Sequence, residues 1–367
     1  MKFKCLQKDI LKSVQCVQYI IENKNTLPIL ANILLETQNN EILLTSTDLE
    51  IGIKTFFTAK IETKGIITVP AKKFSEIINE LPDGEIEIEL IGENLINIKS
   101  GSISFNINTI SSEDFPKFPS YKDNENYFLI PSKILKNMIT NTIFSVSHDE
   151  TRYVLNGILM EKEKNEINLI ATDSHRLAFI KEKILEAKVK DFKVIIPYKS
   201  IKEVGRLLME ADKDIKIIIE EKQIIFLISN IILISRLIDG QFPDYKKVIP
   251  AKTDHTFLIE RDKILQATKR ISILTSSKTM AVVYKLTKGT LNINIKNPEE
   301  GEAQEMLEID YNGPDIEFGY NFRYLLDIYK NLDEKEIMFE FTKPFHPGLI
   351  RPKSEKNPIY IVMPIRI

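Results

Sequence analysis

Three times along the chain a short alternating run opens on Phe and passes into apolar positions at helical spacing. The copies are FKCLQKDILKSVQCVQYI from Phe3, FLIPSKILKNMITNTIFSV from Phe128 and FLIERDKILQATKRISIL from Phe257. Period-2 alternation followed by a 3.6-period stripe predicts a strand leading into an amphipathic helix. A second helix is predicted in each copy, in VPAKKFSEIINELPDG from Val69, IPYKSIKEVGRLLMEAD from Ile196 and FGYNFRYLLDIYKNLDE from Phe318. Between the helices, runs such as EIEIELIGENLINIKSGSISFNI (85–107) read as antiparallel meanders with Gly and Asn turns. The most apolar stretch, IIFLISNIILISRL (224–237), is broken by Ser229-Asn230 and reads as a hairpin of buried strands.

The repeat runs deeper than its openings. Thr47-Asp48 and Thr172-Asp173 lie 125 residues apart, after matching strand pairs, and the Phe-Pro pairs of EDFPKFP (113–119) and GQFPDYKKVIP (240–250) lie 127 apart. Such spacing far exceeds the 20–50 residues of solenoids, so each unit is domain-sized. The expectation is three domains, at 1–122, 123–252 and 253–367, of α+β class with antiparallel sheet dominant.

Composition narrows this picture. Over 367 residues the hydrophobic fraction is 43% and the charged fraction 28%, as in ordinary globular proteins. Lys+Arg 50 against Asp+Glu 52 leaves a net charge of −2, which excludes a chain basic all over but not one basic face. Cys5 and Cys16 read as buried small apolar residues in a reducing compartment. The four histidines (148, 175, 255, 346) form no metal-ligand spacing, so neither a metal nor a cofactor is expected. No apolar run reaches the roughly 20 residues of a spanning helix, and the N-terminus has no signal core, so a soluble, cytoplasmic protein without a membrane partner is expected.

The candidate chemistry is LIATDSHRLAF (169–179), where Asp173, Ser174, His175 and Arg176 stand side by side. A hydrolytic triad is the sharp reading and an ordinary strand end is the plain one. Triad members come from distant parts of a chain, because neighbours on a strand diverge. The equivalent Thr47-Asp48 is followed by Leu49-Glu50, so the Thr-Asp pair is expected to be structural, its carboxylate accepting turn N–H groups. Catalysis is disfavoured.

Taken with the repeat, these residues closely resemble the bacterial DNA sliding clamp, the β subunit of the replicative DNA polymerase. The segments that carry the resemblance are NTLPILANILLE (25–36), DFPKFP (114–119), FSVSHDETRYVLNGILME (144–161), ATDSHRLA (171–178), SRLIDGQFPDYKKVIP (235–250) and YIVMPIRI (360–367). The resemblance covers the whole chain. It implies two chains joined head to tail in a six-domain ring, helices lining the hole, and a non-catalytic processivity factor that slides on duplex DNA without sequence preference. Its implied partners are a second copy of the chain, duplex DNA, the clamp loader, and replicative and repair polymerases carrying clamp-binding peptides.

The resemblance also implies sites. A peptide pocket would draw on Arg152, Leu155, Thr172, Ser174, His175, Arg176, Leu177, Pro243, Val248, Asn321, Tyr324, Phe345, Ile361, Met363, Pro364, Ile365 and Arg366. The leucines, Val248, Ile361 and Met363 would form its floor, and His175, Arg176 and Arg366 its rim. DNA contacts would fall to Lys24, His148, Tyr153, Lys199 and Lys247, joined by the Lys72, Lys73, Lys202 and Arg206 charges that recur on the predicted helices; the ordinary alternative for the helix cations is a solvated face. Phe105 and Ile107 would meet Ile273 and Leu274 of a second copy. Ser174 stands where the family usually has Gly. A hydrolase, or a structural assembly that binds no nucleic acid, are the competing classes.

Overall fold

All six predicted helices form: α1 (Gln7–Val17), α2 (Ala71–Glu80), α3 (Ser132–Thr140), α4 (Tyr198–Leu207), α5 (Arg261–Ile271) and α6 (Phe322–Asn331). Each follows a strand directly, and each buries the stripe its spacing dictates. In α1 this stripe is Ile10, Val14 and Val17; in α5 it is Ile264, Ala267, Thr268 and Ile271. The computed structural model describes residues 1–21, 27–123, 125–210, 213–275, 280–343 and 345–366. None of the described helices is long and apolar enough to cross a membrane.

The chain folds as two compact units. The first comprises Met1–Lys133, Ile184–Lys190 and Lys202–Leu237. It holds a five-stranded sheet in the order Lys60–Thr63, Lys2–Leu6, Glu85–Ile91, Leu95–Ser100, Ile103–Asn108. Its second sheet has nine strands, and at its middle Ile231–Arg236 pairs antiparallel with Ile51–Thr58. Strands from both sides of residue 122 thus share one hydrogen-bonded sheet. The hairpin read from sequence is there: Gln223–Ile228 turns at Ser229, in the left-handed region at φ 54, into Ile231–Arg236.

The second unit comprises Ile134–Lys183, Asp191–Ile201 and Ile238–Ile367. Its eight-stranded sheet joins Arg176–Lys183 to Ile359–Val362 at the centre, with Leu177 opposite Ile361. A four-stranded sheet runs Gly301–Glu308, Thr290–Asn297, Ala281–Thr287, Ile316–Asn321. The Pro- and Lys-rich segment 342–358 supplies Gly348–Pro352, a strand paired on both sides. Cys5 and Cys16 are buried and outside any disulfide; burial, aided by Asp9, pushes the Cys5 thiol up to about 12, so it is inert at neutral pH.

Candidate functional site

Residues 172–176 form a self-contained turn that the chain builds twice. Thr172 Oγ1 accepts from Ser174 N at 3.1 Å and donates to Arg176 O at 2.6 Å, while Asp173 Oδ1 accepts from His175 N and Arg176 N, both at 2.9 Å. Thr47 and Asp48 make the same four bonds with Leu49, Glu50 and Ile51. The third residue of each turn is left-handed, Leu49 at φ 78 and Ser174 at φ 76. That conformation is why glycine suits the position and why a side chain there carries strain. The Thr-Asp pair is structural in both copies, as its short polar side chains predict.

The triad does not assemble. Asp173 spends its second carboxylate oxygen on Arg176 Nε at 3.0 Å, and Ser174 Oγ accepts from Arg152 Nη1 at 2.8 Å. The His175 ring lies near-parallel to Tyr324, centroids 6.4 Å apart. Among the described residues no hydrogen bond joins the His175 imidazole to Ser174 or to the Asp173 carboxylate, so the nucleophile–base contact of a hydrolase is missing.

What the turn does border is a cavity of about 210 Å³, lined by Thr172, Ser174, Arg176, Leu177, Pro243, Asp244, Tyr245, Val248, Ile361 and Met363. Strand pairing puts the floor together, since Leu177 and Ile361 face each other and both belong to a cluster with Leu159, Tyr245 and Leu349. Met363 N donates to His175 O at 2.8 Å, fixing the chain end along the wall. Asp244 and Tyr245 were not anticipated from sequence. Their only signal is position, directly behind a Phe-Pro pair of the repeat.

Several expected pocket residues sit elsewhere. Leu155 is buried, and Arg152, outside the lining, donates to the lining residue Ser174. Asn321 caps α6, accepting from Arg323 N at 3.0 Å, and Tyr324 supports His175 from behind. Ile365 N donates to Gly319 O, which ties the tail to the four-stranded sheet; Pro364 is half-buried and Arg366 exposed. Phe345 stands in a left-handed turn, 60% exposed, away from the cavity lining.

Arg176 lines the cavity as expected, but as a cation already engaged within the protein. Its side chain is only 10% exposed, paired with Asp173 at 3.0 Å and Asp327 at 2.6 Å. It also donates to Phe144 O at 2.5 Å and lies 4.5 Å from the Tyr324 ring centre. A guanidinium so committed holds the wall in place and has little left for a ligand.

Among the DNA candidates, Lys24 lies outside the described residues. Lys72, Lys73, His148, Tyr153, Lys202 and Lys247 are exposed, and Lys199 is half-buried. Lys73 pairs with Glu76 and Lys247 with Asp244, both loosely held at the surface. Arg206 is different: it pairs with Glu203, donates to Cys16 O at 3.0 Å and stacks 4.2 Å from the Tyr19 ring centre. It closes the C-terminal end of α1, a structural duty that its charge alone could not reveal. Phe105 and Ile107 lie on the edge strand of the five-stranded sheet, Phe105 being 38% exposed; Ile273 is 78% exposed and Leu274 half-buried against the core.

Family models of the DNA polymerase III beta subunit match the chain in three parts: N-terminal domain at 1–119, central domain at 129–244 and C-terminal domain at 246–366. The beta sliding clamp of Salmonella typhimurium is 34% identical over 369 residues, and that of Bacillus subtilis 33% over 378, with 100% of both chains covered. Among solved structures, the DNA polymerase sliding clamp from Bacillus subtilis superposes with a TM-score of 0.96 at 31% identity, covering 100% of this chain and 99% of that one. A Pseudomonas aeruginosa sliding clamp bound to griselimycin gives 0.95 at 32%, each chain covered in full.

Proposed function

Because the chain belongs to the family of bacterial sliding clamps, the beta subunits of DNA polymerase III, we propose that it is a processivity factor that encircles duplex DNA and tethers polymerases to it. The carrying observation is the threefold repeat, matched in order and over nearly its whole length by the three beta-subunit domains. The chain acts without chemistry of its own, in the cytoplasm, as a head-to-tail dimer of three domains per chain at 1–122, 123–252 and 253–367. Its partners are the clamp loader and the replicative and repair polymerases, whose extended tails enter the cavity beside Leu177 and Met363.

Topological capture makes strong DNA contacts unnecessary. A ring that gripped bases could not slide, so exposed cations such as Lys72 and Lys202 would hold phosphates loosely. Native mass measurement combined with retention on circular DNA tests this reading. The expected result is a dimer that stays on circles and runs off linear duplex; a monomer, or equal loss from both, would refute it. Charge reversal at Lys199 and Lys202 should lower loading and low-salt affinity, with log affinity falling linearly against log salt.

The dimer would close through the edge strand Ile103–Asn108, whose unpaired edge and exposed Phe105 are otherwise an aggregation hazard. Ile273→Ala with Leu274→Ala should yield a folded monomer in sedimentation at micromolar concentration. An intact dimer at low concentration would count against this edge.

A further inference from the structure

The two copies of the Thr-Asp turn border opposite outcomes, and comparing them isolates what keeps the cavity open. Past the first turn stands Gly52, opposite Ile234; past the second stands Leu177, opposite Ile361. Three residues behind the Phe of each Phe-Pro pair come Phe118 and Tyr245 respectively. In the first copy the space is filled. A Cβ on Gly52 would come within 3.1 Å of the Phe118 ring, which packs on Tyr127, Ile218, Ile225 and Ile234 and lies under Lys54 Nζ, 4.7 Å from its centre. In the second copy the space over Leu177 is the cavity.

Three local differences accompany this. Pro119 follows Phe118 and biases it toward extended backbone, whereas Tyr245 opens the 3-10 turn Tyr245–Lys247. The second difference is an anchor. The Tyr245 hydroxyl donates to Glu161 Oε2, and Glu161 is wholly buried in the strand Gly157–Glu163. Burial pushes this carboxyl up, but hydrogen bonds from Lys193 and Tyr245 outweigh it and hold it below its usual range, so it stays an anionic acceptor. Phe118 has no hydroxyl, and Glu36, the residue 125 positions before Glu161, is exposed. Phe179 stacks on Tyr245 at 5.9 Å and 26°, where Lys54 covers Phe118.

We infer that Glu161 and Leu177 are positioning residues that hold the Tyr245 ring off the cavity floor, and that Phe118 over Gly52 is the closed form of the same arrangement. The inference rests on the peptide-pocket reading only for its functional consequence; the ring position is a separate fact that can be read without any ligand.

The decisive variant is Tyr245→Phe in the full-length protein, which removes one oxygen and no apolar surface. Crystal structures without ligand should show the ring at 245 shifted toward Leu177. Titration with a fluorescent synthetic peptide ending in Leu-Phe should show affinity down roughly tenfold, the loss of one hydrogen bond to a charged acceptor. Adding Leu177→Gly should close the cavity as in the first copy and cut affinity by roughly a hundredfold or more. Glu161→Gln keeps an acceptor and should leave the ring in place, whereas Glu161→Leu should release it at comparable melting temperature. A ring unmoved in both Tyr245→Phe and the double variant overturns the inference. If the rings move but the wild-type protein does not bind the peptide, the pocket reading fails and the positioning assignment stands.

Discussion

Replacing Arg176 with Met lowers the stability of the second unit by about 3 kcal/mol, seen as an earlier urea midpoint at unchanged slope. Methionine matches the apolar stem but leaves Asp173, 16% exposed, and the Phe144 carbonyl without their cation. Breaking a buried pair from one side is costly because the remaining charge stays desolvated. The figure belongs at the lower end of that range, since Asp327 is 37% exposed and water can recover it. A variant as stable as wild type would show that the Asp173 carboxylate is satisfied by its two backbone N–H donors alone.

The second large effect concerns binding. With His175 and Met363 both changed to Ala, a polymerase tail is expected to bind about 30-fold more weakly, on the order of 2 kcal/mol. Met363 supplies cavity wall and a polarizable side chain that adapts to Leu or Phe, while His175 presents a flat ring braced by Tyr324. Backbone bonds in this region, such as Met363 N to His175 O, survive both changes. Fluorescence anisotropy with a labelled tail peptide reads the effect, and retention on circular DNA should be unaltered. Wild-type affinity in this variant would move the peptide site elsewhere.

Much of this molecule is written locally in its sequence. The strand–helix openings at Phe3, Phe128 and Phe257, the hairpin at Ser229-Asn230 and the twin Thr-Asp turns all depend on neighbours within a few residues, and each was readable. Pairings across long separations were not. Nothing near Ile51 announces that its strand lies against Ile231–Arg236, because a strand edge carries no address for its partner. The same limit hides how two arginines are held. Charge is visible in sequence at Arg176 and Arg206, but the carboxylates and carbonyls that engage it are not. Tyr245 escaped notice for a related reason: its role depends on Glu161, 84 residues away.

The nine-stranded sheet has an implication for how such a chain can be rearranged. A repeat detected by periodicity invites treatment as a portable cassette, yet the middle repeat lends strands to two different sheets, one pairing Ile231–Arg236 with Ile51–Thr58 and the other pairing Arg176–Lys183 with Ile359–Val362. Cut free, it would carry two raw edges rich in Ile and Leu, the kind that zip onto any strand they meet. Duplication can create such a protein, but shuffling single repeats afterwards cannot easily remake it, because each exchange must restore two seams in register at once.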